Sequence, residues 1–122
     1  MTKDNFTTAT KTLERVISRV KVDRHLKCVK ISLVCSYGGI SDIFVAWDEG
    51  GICCFDDSTK NTDDPNKARV HFHYMLQKIK DTRHNGKMVI SLSCEKGMIY
   101  NSAITEEYNN LFGRDIGIPL ET

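Results

Sequence analysis

His71 and His73, with His84 further along, and the adjacent pair Cys53-Cys54 are the residues whose types could hold a metal ion or run nucleophilic catalysis. Zinc takes imidazole and thiolate ligands, and a cysteine beside a histidine makes a nucleophile with its base. The spacing argues against both. Ligands on one helix converge at i, i+3 or i, i+4, whereas a two-residue step turns the ring of His73 about 200° away from that of His71. Adjacent cysteines fit one tetrahedral ion poorly, and no C-x-x-C occurs. Cys28, Cys54 or Cys94 could each meet a histidine in space, but no local signature marks them, and thiols buried in strands are inert. Tyr37-Gly38-Gly39 is too short to cradle a phosphate, and neither G-x-G-x-x-G nor G-x-x-x-x-G-K-[ST] is present. The expectation is a protein that is not an enzyme, with no catalytic residue, no metal and no cofactor. The competing expectation is a small cytoplasmic enzyme or ligand-binding domain that uses a cleft lined by cysteine and histidine.

A plainer signal is the sorting of charge. From residue 42 to 64 the chain holds Asp42, Asp48, Glu49, Asp56, Asp57, Asp63 and Asp64 against Lys60 alone. On one side, residues 11 to 30 carry Lys11, Arg15, Arg19, Lys21, Arg24, Lys27 and Lys30 against Glu14 and Asp23. On the other, residues 66 to 87 carry Lys67, Arg69, Lys78, Lys80, Arg83 and Lys87 against Asp81. A net charge of +1 thus hides strong local fields, which steer association with a partner of opposite sign. Direct nucleic-acid binding is not expected, because a dedicated binder is strongly basic overall. Asp48, Glu49, Asp56, Asp57, Asp63 and Asp64 are the candidate partner-binding residues.

The elements that must position these residues follow from periodicity. Phe6, Leu13, Val16, Ile17 and Val20 recur at helical spacing and predict a helix over Asp4 to Val22. Val29, Ile31, Leu33 and Cys35 alternate with polar residues in a strand over Cys28 to Tyr37, and Gly38-Gly39 turns it into a second strand, Ser41 to Asp48. Glu49-Gly50-Gly51 turns again into a short strand, Ile52 to Phe55. The acidic loop Asp56 to Asp64 ends at Pro65, a residue suited to the first position of a helix, with Asp63 or Asp64 as its cap. Ala68, Phe72, Met75, Leu76 and Ile79 form the buried stripe of that second helix, which should stop near His84 at Asn85-Gly86. A hairpin follows over Met88 to Glu95 and Met98 to Ala103, then a closing helix over Glu106 to Phe112 capped by Thr105, and a tail whose Ile116, Ile118 and Pro119 should dock.

The order α-ββ(β)-α-ββ-α predicts an α+β fold: one domain over residues 1–122, an antiparallel sheet of about five strands with helices packed on one face. Ile31-Ser32-Leu33-Val34-Cys35 is echoed by Ile90-Ser91-Leu92-Ser93-Cys94. Five alternating residues are cheap to reproduce, so the echo reads as convergence on a half-buried strand. With 122 residues, 40% hydrophobic and 27% charged, a single core is feasible. The longest apolar run, Ile43 to Trp47, is far too short to span a bilayer, so no membrane role is expected. An odd count of five cysteines and no signal-peptide pattern argue against a disulfide framework, for reduced, buried thiols at Cys35 and Cys94 at least, and for a cytoplasmic protein.

The segments Val29 to Phe55 with its Gly-Gly turn and acidic loop, His73 to Lys80 leading into Met88 to Tyr100, and Tyr108 to Glu121 together resemble the small bacterial immunity proteins. Those antitoxins neutralise secreted or contact-delivered toxins, as in contact-dependent growth inhibition, and many of the toxins are nucleases. The resemblance implies a non-catalytic inhibitor whose partner is a cognate toxin domain, a basic nuclease occluded by the acidic stretch.

Overall fold

Six elements account for residues 5–48 and 65–108, the part of the chain that the structure, a computed structural model, describes. Helix α1 spans Asn5–Val22, strands β1 and β2 span Cys28–Ser36 and Gly39–Asp48, helix α2 spans Pro65–Thr82, and strands β3 and β4 span Gly86–Glu95 and Met98–Tyr108. The four strands form one antiparallel sheet in the order β2-β1-β3-β4. The apolar stripes expected from spacing are the buried ones: Leu13, Val16, Ile17 and Val20 from α1, and Phe72, Met75, Leu76 and Ile79 from α2, pack with Ile31, Leu33, Ile90 and Leu92. Phe6 and Val45 lean on this core and are partly buried. The helices run antiparallel, because Phe6 near the start of α1 meets Lys80 near the end of α2 while Glu14 meets Arg69.

The two halves repeat one αββ unit. A single constant shift in residue number carries Ala9 to Ala68, Leu13 to Phe72, Val16 to Met75, Ile17 to Leu76 and Val20 to Ile79, all buried. The same shift carries Ile31, Leu33, Cys35 and Ile40 to Ile90, Leu92, Cys94 and Ile99. It also matches the hairpin turns, where Tyr37-Gly38 and Lys96-Gly97 both take positive φ. Even the irregularities coincide: β2 carries one extra residue after Val34/Cys35, and β4 one after Ser93/Cys94. Ile31 pairs with its own counterpart Ile90, so the pseudo-two-fold axis passes between them. The correspondence thus extends beyond one strand pattern to helices, turns and bulges without a gap, and the two halves are structural repeats of one unit.

The described sheet has four strands; the expected short strand Ile52 to Phe55 and the tail beyond Tyr108 lie outside the described residues. Two other expectations change. Glu106 to Tyr108 does not open a helix. These residues continue β4, where Glu106 and Glu107 pair with Met88 and Lys87 and Lys78 holds the Glu106 carboxylate, so tertiary pairing overrides the helix-start signal at Thr105. The described residues therefore hold two helices, not three. The stop of α2 also differs: Arg83, at φ 50, takes the left-handed position, and the amide of His84 donates to the Ile79 carbonyl at 3.1 Å. Gly86 instead starts β3 pressed against β4. No described helix is long and apolar enough to cross a membrane.

Candidate functional site

The acidic stretch leaves the fold at Asp48, the last residue of β2, and re-enters it at Pro65, the first residue of α2. Asp48 stands in register with Cys28 and, across β1, with Ser93. The stretch is thus hung from an outer strand of the described sheet and from a helix start. Of the six expected partner-binding residues, only Asp48 is placed, through its backbone. Glu49, Asp56, Asp57, Asp63 and Asp64 lie outside the described residues.

Beside this exit stands Trp47, whose indole carries the Arg19 guanidinium 4.8 Å from the ring centre. Arg19 in turn meets Asp23 at 3.6 Å, an i, i+4 pair that holds it near the end of α1. The internal repeat maps Arg19 to Lys78 and Trp47 to Glu106, and there the contact is ionic: the Lys78 ammonium donates to the Glu106 carboxylate. Glu106 also accepts from the Tyr108 hydroxyl at 2.6 Å. These two donors, Lys78 first, hold the Glu106 carboxyl below its ordinary range, and the carboxylate raises Lys78 and Tyr108 in return. The helix pair is closed by Arg69, which donates to both Glu14 oxygens at 2.7 and 2.9 Å and lowers the Glu14 carboxyl.

The candidate chemical groups are dispersed. His71 Nδ1 lies 2.8 Å from the Ser102 hydroxyl, and burial pushes its pKa down. His73 lines an open cleft of about 210 Å³ between the helices with Phe6, Thr10 and Lys80. His84 is 2% exposed and its Nε2 faces two carbonyls, Lys87 at 3.2 Å and Glu107 at 3.1 Å, so that nitrogen carries the proton and donates to both. Among the described residues no group of three or more His, Cys, Asp and Glu could hold a metal ion. Cys35 and Cys94 are free and buried, and burial pushes their thiols up to about 11 and about 12. Cys35 and Cys94 are thus the reduced, buried thiols expected, whereas Cys28 is disulfide-bonded, against the expectation of no disulfide framework. A larger open groove of about 510 Å³ runs along α2 beside Val70, His71 and Tyr74. Neither space is lined by a described cysteine.

No protein-family model, curated protein or solved structure matches this chain. Sequence reasoning missed the Arg19–Trp47 contact, although the signal was present: extending the five-residue echo along the chain aligns those two positions with Lys78 and Glu106.

Proposed function

We propose that the protein is a non-catalytic binding protein of the immunity type, which neutralises a cognate toxin domain, a basic nuclease, by occluding it in the cytoplasm. The observation that carries this reading is the segregation of charge across the fold. The two helices present Lys11, Arg15, Lys21, Lys67 and Lys80 in a basic layer, whereas the stretch between Asp48 and Pro65 is acidic and anchored at both ends in regular structure. Opposed charges accelerate encounter and fix orientation, so an acidic segment joined to regular structure at both ends suits a basic substrate groove. The enzymatic alternative needs a reactive thiol near a histidine. Among the described cysteines, two are thiols pushed up by burial and the third is held in a disulfide, which favours the binding reading.

The test is co-expression with the product of the neighbouring reading frame. Growth arrest by that product alone, relieved when this chain is present, supports the reading. Arrest that persists at excess of this chain overturns it.

A further inference from the structure

We infer that the disulfide at Cys28 closes onto Cys53 or Cys54 and acts as a redox-sensitive staple on the acidic stretch; this rests on the binding role proposed above, which the staple regulates. The first observation is the state of the thiols. The chain has five cysteines, of which Cys35 and Cys94 are free and Cys28 is bonded, so within one chain only Cys53 and Cys54 are left to pair with it. Both stand in the acidic stretch, shortly before Asp56 and Asp57.

The second observation is burial on the face of the sheet that the helices leave alone. Val29, Ile31, Leu92 and Cys94 point into the core shared with α1 and α2, so strand alternation turns Cys28, Ser91 and Ser93 to the other face. Cys28 stands in register with Ser93 and is no member of that core. Yet Cys28, Ser93 and Ser91 are only 1%, 2% and 5% exposed. Neither helix supplies that cover. Asp48 ends β2 directly beside Cys28, so the acidic stretch sets out from this patch, and a bond from Cys28 to Cys53 or Cys54 ties it back there.

The chemistry needs only a small disulfide. Oxidised glutathione exchanges with the two thiols: their sulfurs join, their protons pass to the glutathione sulfurs, and two molecules of reduced glutathione leave. A reducing cytoplasm favours the dithiol, and an oxidant closes the bond. Once closed, the bond restricts the acidic stretch before it meets a partner, so less ordering remains to be done on binding.

The full chain would be equilibrated with oxidised or with reduced glutathione and the linkage read by peptide mapping. In the oxidised sample the Cys28 peptide is expected to be joined to the peptide carrying Cys53 and Cys54. A link to Cys35, to Cys94 or to a second chain, or no link at all, overturns the staple. Both forms would then be bound to the catalytically silenced product of the neighbouring gene, and the oxidised form is expected to bind about tenfold more tightly. Cys28→Ser should bind as the reduced parent does under either condition, whereas Cys35→Ala, on the helix side of the sheet, should keep the difference. Equal affinity of the two forms, or a difference that survives in Cys28→Ser, overturns the redox control and leaves the acidic-stretch reading standing. Absence of a complex in both forms overturns both.

Discussion

Ile31 faces Ile90 across the two central strands, and each is the other's counterpart in the repeated αββ unit. The core is consequently built of two matched layers around that pair, with Leu33 and Leu92 the next counterparts, both fully buried. Leu33→Ala and Leu92→Ala should each cost about 2 to 5 kcal/mol, the range for buried leucine truncations that leave a cavity. Chemical denaturation measures both. Costs below about 1 kcal/mol at the two sites would mean that the strand faces are inverted.

Gly86 is the glycine that the packing requires. A Cβ there would lie 2.1 Å from the Glu107 carbonyl oxygen and 2.7 Å from the Tyr108 Cα, and φ is +148. Gly86→Ala should therefore destabilise by about 1 to 3 kcal/mol through backbone strain alone, before the clash with β4 is added. Gly39→Ala, where the nearest atom stands at 3.6 Å and no positive φ is required, is the control and should fold as the parent does.

His71 gives stability a pH dependence of definite sign. Burial lowers its folded pKa from 6.5, so the unfolded chain binds the proton more readily. The stabilisation is complete above about pH 6.5 and is lost as the pH falls towards the folded value. Melting curves between pH 7.5 and 5 should show a decline that is shallower in His71→Gln than in the parent. Below about pH 4.5 the decline should pass to Glu14 and Glu106, whose folded values are lowered by Arg69 and by Lys78. Identical profiles for parent and variant would contradict this account.

Thiol labelling separates the cysteines by environment. In the native protein at pH 8, Cys35 and Cys94 should resist alkylation, because burial leaves almost no thiolate, and should label on unfolding. Cys28 should label only after reduction. A disulfide is unusual in a reducing cytoplasm, so peptide mapping of protein alkylated inside intact cells tests the compartment at the same time. Prompt native labelling of Cys35 or Cys94 would return the enzymatic reading to consideration.

Both helical stripes, the four described strands and their two hairpin turns are legible because periodicity and glycine turns act locally. Pro65 at the start of α2 was legible for the same reason. What failed was nonlocal. Thr105 followed by two glutamates is a sound helix-start signal, yet pairing with β3 and the bond from Lys78 keep Glu106 in a strand. Arg83 follows α2 in a left-handed conformation that favours glycine, and a Cβ added at Gly38 would lie 3.2 Å from its Cα, a close approach no local pattern announces. The candidate site was legible as charge and only partly as position: Asp48 ends β2 as expected, while the Arg19–Trp47 contact joins residues far apart in the chain.

The central claim is that the acidic stretch is the partner-binding surface, and charge reversal tests it most directly. Asp56→Lys with Asp57→Lys is preferred to changes at Asp63 or Asp64, since one of the latter is the expected cap of α2 and its loss alone could cost about 1 kcal/mol. Association kinetics with the silenced product of the neighbouring gene would be recorded at two salt concentrations. The account predicts that the double reversal slows association steeply and flattens its dependence on salt. An unchanged association rate and an unchanged salt slope would contradict it.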